Sequence, residues 1–182
     1  MKCAGIDYSM SCPSITIGNS DDFSFENSKV YYLTGEKRYK GSFGPNITGT
    51  LFIKPDSQIE RFVKISEWAI DIVKDCDKIL IEGYSMGSKG AVFHIAENTA
   101  MLKYQMHIRK LLWRDIAPTS LKKYATGKGN SDKNEMYDSF CKETDVDLRK
   151  LYKSKGKKIG SPISDIVDSF YLCKYALQHF PE

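Results

Sequence analysis

The chain has 182 residues, 41% of them hydrophobic and 27% charged, which fits one soluble globular domain spanning 1–182 and would leave two full domains cramped. No apolar run nears the ~20 residues of a membrane span, the start MKCAGIDYSM lacks a secretory pattern, and the five scattered cysteines, with no CxxC pair, argue against a zinc site or a disulfide framework, so a cytoplasmic protein is expected. The net charge of +4 is concentrated in two places, with seven basic residues against one acid from 103 to 128 and six against none from 149 to 158, a distribution that points to a polyanionic partner.

Residues 2–8 predict a strand, 13–18 (PSITIG) a second and 29–33 (KVYYL) a third, each rich in residues that favour a pleated surface. Short, polar connections make these three an antiparallel meander. Residues 34–57 are punctuated by Gly, Ser and Pro and predict a long loop, with a short strand near 51–53. Tyr39 and Phe43 lie in that polar stretch, where an aromatic ring is as well placed to stack on an unpaired base as to pack.

An amphipathic helix is expected over 57–76, where Ile59, Phe62, Val63, Ala69, Ile72 and Val73 keep a helical period. Residues 78–82 (KILIE) predict a buried strand ending in an acid, followed by the glycine-rich GYSMGSKG. A second helix over 91–112 is apolar on a wide arc, with Ile95, Leu102 and Met106 on one side and Phe93, Tyr104 and Leu111 well round from them. An arc of that width predicts packing against two partners, the sheet and a second subunit. A short strand at 114–117, helices at 119–125 and 132–143, a basic loop at 149–160 and a last helix starting at Ser161-Pro162 complete the chain. The expected fold is α/β, a five-stranded mixed sheet of meander plus parallel strands flanked by helices.

Four carboxylates carry the chemistry. Asp7 ends the first strand, where an Asp by itself is more often a turn former, and Glu82 ends the fourth, where a solvated strand end reads as well as a functional one. Asp165 and Asp168, spaced i, i+3 at the head of the last helix, share a face whose row continues through Leu172 and Ala176. Helix-dipole complementation explains one such acid easily and two inward-facing ones less well. Carboxylates converging from strand ends and a helix head repel one another unless cations neutralise them. Oxygen ligands without a Cys/His cluster select Mg²⁺ or Mn²⁺, and two such ions clamp the attacking and leaving oxygens of a phosphodiester. The histidines His94, His107 and His179 are spread over helices and read as surface or packing residues. TGKGNSDK lacks the spacing of a P-loop.

GIDYS, IEGYSMGSKG, APTSLKKYATGKGNSDK and SDIVDSFYL together resemble the four blocks of the RuvC-type Holliday junction resolvases, in their phage-type branch. The resemblance runs in order over most of the chain, leaving out chiefly 34–57 and 144–160. It implies an RNase H-like fold, a homodimer, hydrolysis with two Mg²⁺ or Mn²⁺ ions and a four-way DNA junction as substrate. Asp7, Glu82, Asp165 and Asp168 fall on the family's catalytic metal-binding positions, and Lys122 and Lys133 on two basic positions that contact DNA phosphate. Lys123, Lys128, Lys155, Lys157 and Lys158 in the basic runs, with Tyr84, Ser85 and Lys89 in the glycine-rich loop, complete the expected DNA surface. Bacterial members carry a junction-wedging Phe where this chain has Ser85, so their mode of opening the junction and their sequence preference do not carry over. A flap or RNA–DNA hybrid nuclease and a non-catalytic branched-DNA-binding module are the competing functions. An actin-like ATPase would need a longer chain and glycine-rich phosphate loops.

Overall fold

The computed structural model describes residues 1–84, 92–156 and 158–181. Its elements in chain order are β1 (Lys2–Asp7), β2 (Ser14–Asn19), β3 (Lys29–Thr34), β4 (Gly41–Phe43), β5 (Ile47–Leu51), α1 (Gln58–Val73), β6 (Lys78–Glu82), α2 (Val92–Ile108), β7 (Trp113–Ile116), α3 (Pro118–Thr126), α4 (Lys133–Thr144), α5 (Leu148–Leu151) and α6 (Ile163–His179). The strands form one mixed sheet in the order β4-β5-β3-β2-β1-β6-β7. The meander β1-β2-β3 is antiparallel, while β6 lies parallel to β1 and β7 parallel to β6.

The sheet therefore has seven strands where the sequence predicts five. Both extra strands come from 34–57: β5 pairs parallel with β3, and β4 pairs antiparallel with β5 on the sheet edge. The strand expected near 51–53 is thus β5, lying several residues earlier. Its apolar alternation is broken at Gly49, where a Cβ would stand 2.2 Å from the Tyr39 carbonyl oxygen and 2.5 Å from the Tyr32 hydroxyl. The backbones approach too closely there for any side chain, which removes the periodic signal a strand normally shows. Tyr39 and Phe43 belong to the same packing. Phe43 stacks on Tyr152 at 4.4 Å, Tyr39 meets Tyr152 edge-on at 5.8 Å, and the Tyr32 hydroxyl donates to the Tyr39 carbonyl at 2.7 Å. These rings close the core rather than wait for a base. The segment expected as a loop over 149–160 opens with the single turn α5, whose Asp147 cap accepts from the Lys150 amide.

Side-chain alternation splits the core into two layers. One contains Ala4, Ile6, Ile15, Ile79 and Ile81 and is covered by α1 and α2. The other contains Cys3, Leu80, Ile116 and the inner faces of α3, α4 and α6. Helix starts follow local chemistry: Ser57 caps α1 by accepting from the Glu60 amide, and Asp132 with Glu135 forms a reciprocal capping box on α4. At α6 the position before the first helical residue is Pro162, not Ser161, and no side chain caps it. That helix is held by tertiary contacts instead. It is buried on nearly its whole circumference, with Asp165, Leu172 and Ala176 of one row and Ile163, Ile166, Phe170 and Cys173 of the opposite one all covered. Among the described residues no helix is long and apolar enough to cross a membrane.

Candidate active site

The period of two along β1 decides which residues share a face with α6. Ala4, Ile6 and Tyr8 pack on the α1 side, so Cys3, Gly5 and Asp7 turn to the opposite side. Gly5 is where α6 comes closest. A Cβ there would lie 2.1 Å from the Cys173 amide nitrogen and 2.4 Å from the Ser169 carbonyl oxygen. Next to this contact, the buried Ser169 hydroxyl bonds Ser14 at 3.0 Å and Thr16 at 2.8 Å on β2. Ser14 is the register partner of Asp7. Helix α6 is thus fixed across β1 and β2 one turn beyond Asp165, which places its first turn over the end of β1.

On the other flank, β6 runs parallel to β1 with Ile6 beside Ile81, so Glu82 ends its strand next to Asp7 and on the same face. Four carboxylates from three elements therefore meet at one end of the sheet. Asp165 is buried, while Asp7, Glu82 and Asp168 are half-buried. Their electrostatics show the crowding. Burial, then the charges of Asp165, Asp168 and Glu82, hold the Asp7 carboxyl well above the usual carboxylate range. Burial with Glu82 and Asp165 beside it pushes Asp168 up to about 8. Glu82 is raised by burial against the pull of Lys122 and Lys133, and Asp165 by burial against the nearby Ser161 hydroxyl and Lys133.

Lys122 on α3 and Lys133 at the head of α4 are the cations these groups feel. Lys133 donates to the Ser164 hydroxyl at 3.1 Å, and Ser164 leans on Asp165 Oδ1 at 3.5 Å. The other expected DNA contacts are not among the charges that shift these four carboxyls. Lys123, Lys155 and Lys158 are exposed, as is Lys128, 4.0 Å from Glu135. Tyr84 is 44% exposed beside Glu82 and has the Lys103 ammonium 5.2 Å from its ring. Ser85, Lys89 and Lys157 lie outside the described residues. The basic run from 103 to 128 is not one continuous face, because Lys103 is paired with Asp115 at 2.7 Å.

Two carboxylate-side residues carried no signal in the sequence. Cys12 is buried against Asp165 and Asp7, and burial followed by the Asp165 charge pushes its thiol up. Ser169 stands 155 positions from its partner Ser14, a separation at which no local pattern links two serines.

The donor set fits hard divalent cations. It is all oxygen, four carboxyl groups whose raised proton affinity shows that they hold protons in place of the cations they lack, with Lys133 and Lys122 the cations felt. The buried Asp165 Oδ2 has no hydrogen-bond partner. Buried acceptors left without partners cost free energy, and a cation among these oxygens would relieve both the orphaned atom and the repulsion. Among the described residues no three His, Cys, Asp or Glu side chains are arranged so as to hold a metal ion as they stand.

No family model matches the sequence, and no curated protein is similar to it. Solved structures are. Thermus thermophilus RuvC in complex with a Holliday junction substrate superposes with a TM-score of 0.60 at 12% identity, over 99% of this chain and 97% of that one. The yeast mitochondrial Holliday junction resolvase Ydc2 gives 0.58 at 16% identity, over 96% and 77%. The fowlpox virus Holliday junction resolvase gives 0.53 at 16%, over 98% and 99%. The chain shares its mixed α/β fold with these three structures.

Proposed function

We propose that a chain folded as the junction resolvases are, with four acids gathered at one end of its sheet, is a divalent-metal-dependent endodeoxyribonuclease that cuts branched DNA, the four-way junction foremost. The observation that carries this reading is the meeting of Asp7, Glu82, Asp165 and Asp168 from two strands and a helix, with Lys122 and Lys133 facing them. These carboxylates would hold Mg²⁺ or Mn²⁺, two ions per site, and when bound such ions supply Lewis-acid stabilisation of the attacking and leaving oxygens of a phosphodiester. Lys122 and Lys133 orient the phosphate through charge. The exposed lysines Lys123, Lys128, Lys155 and Lys158 extend the contact along the duplex arms.

The working unit in this reading is a homodimer. Along α2, Leu102 and Met106 are buried against the sheet, whereas Phe93 is 80% exposed, Tyr104 59% and Ile108 51%. Leu111 packs on the sheet-side core, so the outer stripe is narrower than the sequence implies and runs through Phe93, Tyr104 and Ile108. A two-fold dimer through that stripe covers exposed apolar surface and matches the symmetry of a four-way junction. Tyr104→Glu should convert a sedimenting dimer to a monomer, and a wild type that is monomeric with and without junction DNA refutes the dimer.

The deciding experiment offers the purified protein labelled four-way junction, flap, linear duplex and RNA–DNA hybrid with Mg²⁺, Mn²⁺ or EDTA. Paired, metal-dependent nicks in the junction are expected. Preference for the hybrid or the flap moves the function to another nuclease class, and binding with no cutting in either metal leaves a branched-DNA-binding module.

A further inference from the structure

Arg61 on α1 carries a charge that the carboxylate cluster does not use. Its guanidinium donates to the Met10 carbonyl in the turn joining β1 to β2, and its Nε is buried with no hydrogen-bond partner. Among the described residues no carboxylate forms an ion pair with it. The cations that dominate the four carboxylates are Lys133 and Lys122, yet Arg61 lines the same cavity of about 410 Å³ as Asp7, Glu82 and Tyr84. It stands in the wall of that cavity and is not among the charges that shift the four carboxyls.

The cavity continues outward past this residue. A second hollow of about 330 Å³, bordered by Thr34, Phe52 and Ser161, and a third of about 280 Å³, bordered by Met10, Gln58 and His94, both have Arg61 and Lys54 in their walls. Lys54 is exposed and forms no ion pair among the described residues. Of the acids lining these hollows, Glu36 is engaged by Arg38 at 2.7 Å, and Asp56 is exposed. A half-buried guanidinium that lines a cavity without a counter-ion is stabilised by an anion, and phosphate oxygens fit its planar fork.

We propose that Arg61 and Lys54 form a phosphate-binding track for the DNA strand flanking the cut, on the α1 side of the sheet, opposite Lys122 and Lys133 on the α3 and α4 side. The strand then crosses the sheet end gripped on both faces, with the scissile phosphate over the carboxylates between them. This rests on the branched-DNA nuclease reading and adds a path for the substrate.

The test is the salt dependence of four-way junction binding in Ca²⁺, measured for the wild type, Lys54→Gln, Arg61→Gln, Arg61→Lys and the exposed control Lys74→Gln. Each lost phosphate contact lowers the slope of log affinity against log salt by about 0.9. Lys54→Gln and Arg61→Gln should each flatten the slope by that amount, Arg61→Lys should restore most of it, and Lys74→Gln should match the wild type. Lys54→Gln breaks no described contact, so it reports on the track even where Arg61→Gln loosens the turn at Met10. Wild-type slopes in both Gln variants overturn the track while leaving the nuclease reading standing. A change confined to Arg61→Gln and not restored by Lys also overturns it, because the effect then belongs to the Met10 brace. A wild type that binds no branched DNA removes the underlying function and the track together.

Discussion

Neutralising one acid of the cluster should stabilise the protein while destroying its catalysis, and Asp168→Asn is the cleanest way to show it. The folded chain keeps a proton on Asp168 up to about pH 8, whereas the unfolded chain gives it up near pH ~4. Between those values the folded state binds more protons than the unfolded one, so the Asp168 contribution is fully present below pH ~4 and is lost as pH rises through the window. One pH unit of such a mismatch is worth about 1.4 kcal/mol, which sets a ceiling of about 4 kcal/mol at neutral pH. An asparagine removes that penalty, but its amide must be desolvated at a cost of about 1–3 kcal/mol. The net gain is at most about 1–3 kcal/mol, or roughly 3–9 °C in Tm for a chain of this size. The assay is thermal unfolding followed by circular dichroism in EDTA, across pH ~4.5 to ~8. The gain should be large near neutrality and vanish at the acid end. Adding Mg²⁺ should raise the wild-type Tm, since an ion that binds only the folded state stabilises it, and should raise that of Asp168→Asn much less. A variant no more stable than wild type at neutral pH, or a gain independent of pH, refutes the picture of four mutually repelling carboxylates.

Three further outcomes follow from the same geometry. Asp7→Asn, which keeps size and loses charge, should reduce Mg²⁺-dependent junction cleavage to background and leave junction binding in Ca²⁺ nearly unchanged; substantial residual cutting removes Asp7 from the catalytic set. Gly5→Ala forces a Cβ to within 2.1 Å of the α6 backbone, so it should cost about 3 kcal/mol or more and yield little folded protein, and a Tm equal to wild type would sink the close β1–α6 contact. Ser169→Ala strands the buried Ser14 and Thr16 hydroxyls and should cost about 1–3 kcal/mol in urea unfolding. Its junction cleavage per folded molecule should fall as well, because α6 loses the tie that sets Asp165, and an unchanged urea midpoint argues against that tie.

Much of this molecule is legible locally. The meander, α1, β6 and the long helices declare themselves through period and caps, and the acids at 7, 82, 165 and 168 stand out because each ends an apolar strand or heads an apolar helix. What local pattern does not carry is how those pieces meet. β4 and β5 leave no readable period, since close backbone approach at Gly49 replaces the side chain that would have marked the strand. The tie from Ser169 to Ser14 and Thr16, the seat of α6 on Gly5 and the idle donor of Arg61 join residues far apart in the chain. Sequence by itself determined which residues carry charge and, outside 34–57 and the single turn α5, which segments are strand or helix, because those follow from side-chain chemistry within a turn or two of backbone. Only the tertiary structure decided how deeply the four acids are buried and how they raise one another's proton affinity, because burial and Coulomb repulsion depend on distance in space.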